Sequence, residues 1–150
     1  MQIEKEIPRN YFRNDSHKAL INIIFTSNWI LERLKQILET EDITHQQYNI
    51  LRILASSDTP LSTLQIRERM LDKMSDTSRI VERLLKKELV KKQICAHDKR
   101  LVDVTITQKG NQLLDRIHKN SGEIDGIIGN LAEEEVTVIN RLLDKMREKE

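Results

Sequence analysis

The apolar positions change their spacing along the chain, and each change marks a predicted element. Through residues 15–39 they recur at helical spacing and cover more than one stripe, which predicts a long helix buried on two sides and capped by Asp15 or Ser16. The polar residues 1–14, with Pro8, predict an arm. Because the second apolar stripe of the helix needs a partner, a second copy of the chain is the simplest one.

The middle of the chain predicts a pair of short helices and then a third. Thr44 and Ser62 are each followed three residues later by Gln, which is the pattern of a capping box. A further helix is predicted to start between residues 72 and 75, and its core stripe consists of Ile80, Val81, Leu84 and Leu85. The helix that starts after Ser62 and the third helix are short and joined by a tight turn. This arrangement is typical of the helix-turn-helix motif.

The face of this third helix that lies opposite its core stripe is polar and basic. Ser78 lies on a flank of that face, which at 100° per residue carries Ser75, Asp76, Arg79, Glu82, Arg83 and Lys86. Small side chains let a helix lie deep in the major groove of DNA, and arginine can bond guanine bidentately. The face therefore predicts a recognition helix, although basic runs are also typical of solvated helical faces.

A basic hairpin is predicted directly after this helix. Residues 90–95 and 101–106 form its predicted strands, with Val102, Val104 and Ile106 alternating with polar residues. The turn between the strands carries His97, Asp98, Lys99 and Arg100. Thr107 is predicted to cap the next helix. A helix-turn-helix followed by a basic hairpin is a winged helix.

The remaining residues predict two more helices. Residues 113–128 predict one long helix, loosened by Gly126 and Gly129, and residues 136–146 predict the last. The expected fold class is therefore mainly α with a small β-hairpin wing. The winged helix-turn-helix is flanked by long N- and C-terminal helices within a single domain of 150 residues.

Composition agrees with this class and argues against others. Charged residues make up 33% and aromatic residues 3% of the chain, which suits solvent-exposed helices better than a β-sandwich. No apolar run approaches the ~18 residues of a membrane span, and the N-terminus lacks the order of a signal peptide. Because a single cysteine excludes an internal disulfide framework, we expect a soluble protein of the reducing cytoplasm.

Charge is unevenly distributed although the net charge is only +1. Residues 67–100 contain eleven Lys and Arg against six Asp and Glu, a local excess of +5. Residues 123–150 contain four Lys and Arg against eight Asp and Glu, a local charge of −4. A basic middle and an acidic end predict one surface that attracts phosphate and another that does not.

The sequence shows no nucleophile beside a base, glycine-rich phosphate loop or zinc spacing, so we expect neither an enzyme nor a cofactor.

The order of these elements and several motifs resemble the MarR family of bacterial transcriptional regulators. The resemblance covers roughly residues 15–148 and is most specific from Asp98 to Gly110. There, Asp-x-Arg precedes an alternating strand and then Thr-x-Lys-Gly. Residues 80–90 match the family's recognition helix and its exit, and residues 131–135 look like the start of its last helix.

The resemblance implies a homodimeric regulator that binds double-stranded DNA. It places a winged helix-turn-helix at residues 44–107 and dimerisation helices at 1–40 and 108–150. The recognition helix would enter the major groove and the wing the minor groove, with Arg100 at its tip and Asp98 supporting that tip through hydrogen bonds from the turn or from Arg100. By position, the other side chains expected at bases or phosphates are Ser75, Asp76, Ser78, Arg79, Arg83, Lys86, His97 and Lys99.

The resemblance also implies a repressor released by a small ligand. Many relatives bind aromatic or anionic compounds between the dimer helices and the winged helix, where Tyr11, Trp29 and Tyr48 would line a pocket. Core packing is the alternative for Trp29 and Tyr48, while Tyr11 could instead clip the arm, together with Phe12, onto a partner subunit. A different function, a dimeric protein-interaction module without operator binding, is compatible with the acidic C-terminal helix.

Two positions depart from the family pattern. Glu88 stands where glycine usually supports a left-handed helix end, which would cost on the order of 1 kcal/mol unless the helix ends differently. Ala132 stands where a capping Ser or Thr is common, so Asn130 is the expected cap of the last helix.

Three further residues are candidates for redox sensing or metal binding. Cys95 could act as a redox sensor, but strand cysteines are more often inert apolar residues. Some relatives bind metal through their long helices, so His17 with His118 is a conceivable pair, although surface or core histidine is the default.

Overall fold

The computed structural model describes residues 2–100, 102–119 and 121–148. Its elements follow in the order α1 (Ile3–Glu6), a 3₁₀ turn (Arg9–Tyr11), α2 (Asp15–Glu39), α3 (His45–Ala55), β1 (Leu61–Ser62), α4 (Thr63–Arg69), α5 (Thr77–Lys86), β2 (Val90–Ile94), β3 (Val102–Ile106), α6 (Gln108–Lys119), α7 (Ser121–Asp125), a second 3₁₀ turn (Gly126–Ile128) and α8 (Glu133–Arg147). The predicted class, mainly α with a small β wing, is confirmed. Across the described ranges, no helix is long and apolar enough to cross a membrane.

The wing belongs to a small antiparallel sheet with the strand order β1-β3-β2. The register of β2 and β3 runs from Val90 opposite Ile106 to Ile94 opposite Val102, so the hairpin is confirmed. The predicted strand position Leu101 lies outside the described residues. Strand β1 was not predicted, because two residues are too few to show an alternating pattern. Its Ser62 pairs with β3 and also caps α4.

Both predicted capping boxes are present. Thr44 Oγ1 accepts a hydrogen bond from Gln47 N at 3.2 Å, while Gln47 Oε1 accepts one from Thr44 N at 3.1 Å. Ser62 and Gln65 exchange the corresponding bonds at 3.2 and 2.9 Å. Each pair satisfies amide groups that a helix start leaves free, so the starts of α3 and α4 are fixed by local sequence.

The caps of the two terminal helices differ from prediction. Helix α2 is capped by Asn14 and not by Asp15 or Ser16, since the Asn14 side chain accepts from His17 N at 2.8 Å. Asp15 instead lies in the first turn, where a negative charge is favourable next to the helix N-terminus. Helix α8 is not capped by Asn130. Its N-cap is Ala132, whose amide donates to the Glu135 carboxylate at 2.8 Å.

The N-terminal arm is more structured than predicted, and the helix predicted before α8 is less regular. In the expected arm, α1 buries Ile3, and Glu4 forms an ion pair with Lys18 of α2. The long helix predicted over residues 113–128 does not keep α-helical geometry to its end. Its residues lie in α6, which runs to Lys119, and in α7 (Ser121–Asp125), and the chain then continues through Gly126–Ile128 as a tighter 3₁₀ turn.

The hydrophobic core lies in the middle of the chain. It combines buried side chains of α3, α4, α5, the sheet and α6 with Leu38 near the end of α2. By contrast, Leu20 and Ile24 of α2 are each 50% exposed, and α8 has no buried residue within its described span. The predicted burial of α2 on two sides is therefore not met within one chain.

The end of α5, the base of the wing and the start of α6 form one hydrogen-bonded junction. Glu88 N donates to Leu85 O at 2.9 Å and Leu89 N to Leu84 O at 3.0 Å, which is a Schellman ending. Glu88 has φ 60°, so it adopts the left-handed conformation although it is not glycine. Thr107 Oγ1 donates to Glu88 O at 2.8 Å and accepts from Gly110 N at 3.1 Å, so Thr107 caps α6 as predicted.

Replacing Glu88 with glycine is expected to raise the free energy of unfolding. The left-handed conformation costs a side-chain-bearing residue about 1–2 kcal/mol, which the greater backbone entropy of unfolded glycine offsets in part. We expect a net gain of about 0.5–1 kcal/mol in urea denaturation. The control is Arg83→Gly in the interior of α5, where the side chain is exposed, and it should lower stability by about 1 kcal/mol. A loss of stability in Glu88→Gly would show that the side chain contributes more than its conformation costs.

Candidate nucleic-acid interface

Helix α5 turns one face to the core and the other to solvent. Its side chains Thr77, Val81 and Leu84 are buried and lie three or four residues apart. The exposed side chains on the remaining surface are Ser78, Arg79, Glu82, Arg83 and Lys86. The polar and basic face expected from the sequence is therefore accessible along the whole helix.

The start of α5 lies later than predicted, at Thr77 instead of residues 72–75. Asp76 is the N-cap, because its Oδ1 accepts a hydrogen bond from Arg79 N at 3.2 Å. Ser75 Oγ donates to Asp72 Oδ2 at 2.7 Å. Ser75 and Asp76 were expected to face bases or phosphates, but their side chains have partners in their own turn. They shape the start of α5, and Ser78 and Arg79 are the exposed groups that follow.

Asp72 organises the turn between α4 and α5. Hydrogen bonds from the Ser75 hydroxyl and from Met74 N, at 3.0 Å, lower the pKa of the Asp72 carboxyl below its usual value. At the other end of the turn, Leu71 N donates to Asn49 Oδ1 of α3 at 3.0 Å. The turn is therefore fixed both to α3 and to the start of α5. The sequence pattern gave no sign of the Asn49 contact, since it joins positions far apart along the chain.

A shallow groove separates α5 from the start of α3. Its volume is about 270 Å³, and the residues that line it are Thr44, Gln46, Gln47, Asp72, Ser75, Asp76, Arg79, Ile80 and Arg83. Two guanidinium groups one helical turn apart, beside the N-terminus of α3, suit an anion such as a phosphate. The contribution of α3 was missed in the sequence, because Gln46 has no signal beyond its place in a capping box.

The tip of the wing exposes the expected group of side chains, His97, Asp98, Lys99 and Arg100. Asp98 Oδ1 accepts a hydrogen bond from the backbone amide of Arg100 at 2.9 Å, so the aspartate supports the turn. Lys92 on β2 forms an ion pair with Glu82 on α5. That contact joins the wing to α5, so the two basic surfaces are directly linked.

The three aromatic residues expected at an effector pocket do not come together. Trp29 lines a groove of about 720 Å³ between α2 and α7, and Arg33 lies 5.0 Å from its ring centre. Tyr48 instead packs against the hydrophobic core, which was the alternative expected for it. Tyr11 is exposed and stacks on His17. Within one chain, the three residues therefore do not line a single pocket.

The described residues hold no group of three or more His, Cys, Asp or Glu side chains that could bind a metal ion. His17 accepts a hydrogen bond from Arg13 N, while His118 lies 2.7 Å from the Arg52 guanidinium. The two histidines thus have separate surroundings. Cys95 is half-buried next to the end of β2.

A helix-turn-helix packed on the core, the exposed basic face of its second helix and a paired wing define a winged-helix DNA-binding protein. Residues 41–101 match the model of the MarR family. The uncharacterized HTH-type transcriptional regulator YhbI of Bacillus subtilis is 30% identical over 110 residues, which cover 68% of this chain and 70% of that protein. The chain belongs to the MarR family of transcriptional regulators.

Solved structures share the fold over most of the chain. The S. aureus MepR–DNA complex is 25% identical with a TM-score of 0.73, covering 86% of this chain and 94% of that one. The organohalide-sensing regulator RdhR-CbdbA1625, in its 2,4-dichlorophenol-bound form, is 18% identical with a TM-score of 0.82. That match covers 93% of this chain and 83% of the other.

Proposed function

We propose that this regulator binds a pseudo-palindromic operator as a homodimer and represses transcription until a small ligand releases it. The observation that carries the proposal is the exposed face of α5. Arg79 and Arg83 line one groove there, and neither forms an ion pair with another described residue. Two guanidinium groups without ion-pair partners on a rigid helix suit base edges and phosphates.

The proposed homodimer is supported by apolar surface that one chain leaves uncovered. On α8, the exposed large apolar side chains are Val138, Ile139, Leu142 and Met146. Leu20, Ile24 and Leu31 of α2 are exposed as well. At helical spacing, Val138, Leu142 and Met146 lie on one face of α8, and an exposed apolar stripe of this kind marks an association site. A two-fold dimer would present two copies of α5, which read half-sites about one helical turn, roughly 34 Å, apart.

The proposed release by a ligand rests on the groove beside Trp29. Its lining combines the indole ring with Arg33, a cation that suits an aromatic or anionic compound, and with Gly126 and Ile127 of the second 3₁₀ turn. A ligand there would act only through its different affinity for the DNA-binding and released arrangements. A DNA target of this kind implies that the protein acts in the cytoplasm.

Replacing Arg100 with alanine tests the proposed role of the wing in DNA binding. We expect affinity to fall similarly for operator and non-operator DNA, because a wing-tip cation acts mainly through phosphate charge. The slope of log affinity against log salt should flatten by about 0.9 for each phosphate that the variant no longer neutralises. Fluorescence anisotropy over a range of salt concentrations measures this slope.

The matched control for this substitution is Arg141→Ala, which removes an exposed arginine from the acidic helix α8. It should leave the salt slope of wild type unchanged. An unchanged slope in Arg100→Ala would exclude Arg100 from the phosphate contacts. If the wild-type chain showed no salt-dependent binding to any DNA, the interaction-module function would replace the proposed one.

A further inference from the structure

The turn between α4 and α5 displays two large apolar side chains. Leu71 is 87% exposed and Met74 is 92% exposed, more than any other large apolar side chain in the described part of the protein. Scattered exposed apolar residues need no explanation. These two are only three positions apart, and they lie next to the start of the recognition helix.

The exposure of these side chains does not come from a loose turn. Met70, directly before them, is 1% exposed and anchors the segment in the core. The amide of Leu71 is bound by Asn49, and the amide of Met74 is bound by Asp72. Both backbone positions are thus fixed while both side chains point into solvent. A fixed backbone loses little further entropy on binding, which favours a role in recognition.

The surroundings of the turn specify the chemistry of a partner. Met74 lies two residues before the N-cap Asp76, at the end of α5 that a recognition helix turns toward base edges. Arg79 lies one turn further along the same helix. An apolar pair beside exposed arginines fits a surface that is anionic but carries apolar groups. In the major groove of DNA that apolar group is the C5-methyl of thymine.

We infer that Leu71 and Met74 are specificity residues that contact thymine methyl groups in each half-site of the operator. The inference rests on the proposed DNA binding and adds the base type that this turn selects. The half-site should therefore contain thymine beside the bases that α5 reads. A protein surface is the other occupant that apolar exposure could serve, and it is one outcome of the test.

The test compares thymine with uracil, which differs only by the methyl group. A site selected by the wild-type protein is synthesised with each thymine in turn replaced by deoxyuridine in both half-sites. Affinities are measured for wild type, Leu71→Ala, Met74→Ala and the matched control Leu64→Ala, whose leucine is also exposed but lies on α4. Because all three positions are on the surface, circular dichroism should show unchanged folding.

At one or two thymine positions, we expect replacement by uracil to lower the affinity of wild type. The loss should be about fourfold per methyl group, or roughly 15-fold when both half-sites are changed. Leu71→Ala or Met74→Ala should lose that preference and still select the rest of the site, while Leu64→Ala keeps it. Three outcomes would overturn the inference and leave the proposed function standing. Wild type could bind thymine and uracil sites equally, the selected half-site could lack thymine, or both variants could keep the full preference for thymine. Absence of any selected sequence would overturn both. If both variants kept unchanged DNA selection, a protein surface would remain as the occupant of the Leu71 and Met74 pair.

Discussion

Replacing Gly110 with alanine should lower the free energy of unfolding by about 3 kcal/mol. A Cβ at this position would lie 2.3 Å from Leu89 O and 2.7 Å from Ile106 Cγ1. Leu89 O cannot move freely, since it accepts the hydrogen bond from Thr107 N at 3.0 Å. The first turn of α6 must therefore shift away from the base of the wing.

The matched control for this prediction is Gly122→Ala in α7, where an added Cβ meets no atom within 4 Å. That variant should be neutral or stabilised by up to about 1 kcal/mol, because alanine is the better helix former. Both are measured by urea denaturation at equal protein concentration, since association stabilises the native state. A Gly110→Ala variant as stable as the control would mean that α6 packs less closely on the wing than these distances require.

Replacing Arg79 with alanine should weaken operator binding by ~1–3 kcal/mol per half-site and relax sequence preference. Arg79 is the exposed arginine nearest the start of α5, and Asp76 binds its backbone amide while leaving the guanidinium to the groove. Affinity for non-operator DNA should change much less, because that binding depends on the total number of phosphate contacts. Competitive mobility-shift titrations with both kinds of DNA measure the difference.

Arg79→Lys separates charge from geometry. Lysine keeps the positive charge but lacks the planar pair of donors, so the salt slope should be retained while preference falls. Arg52→Ala is the control for removing an exposed arginine outside the groove, since Arg52 contacts His118. Equal losses of affinity for operator and non-operator DNA in Arg79→Ala would make Arg79 a phosphate contact and not a reader of bases.

The local part of the fold could be predicted from the sequence because each step depends on neighbouring residues. The capping boxes at Thr44 and Ser62, the cap at Thr107 and the core stripe of α5 are patterns within a few positions. Their order is sufficient to indicate a winged helix. The left-handed Glu88 was anticipated only through the family pattern, as one of two possible ends for the helix.

The features of the fold that the sequence did not predict depend on contacts between distant positions or on choices between adjacent capping residues. Strand β1 exists only because β3 pairs with it, and Asn49 reaches a turn 22 residues away. Asn14, Asp15 and Ser16 are all capping residues, so composition alone does not choose between them. The positions of the aromatic residues could not be predicted for a different reason, since their shared character says nothing about which face of the fold each one occupies.

Selection of bound sequences from random DNA tests the central claim most directly. The full chain is incubated with a random library at moderate salt, and the bound fraction is amplified and sequenced. We expect enrichment of an inverted repeat whose half-site centres lie about 10 base pairs apart, because two symmetric copies of α5 must enter successive major grooves. Enrichment of no sequence, or of a single asymmetric site, would contradict a homodimeric operator-binding regulator.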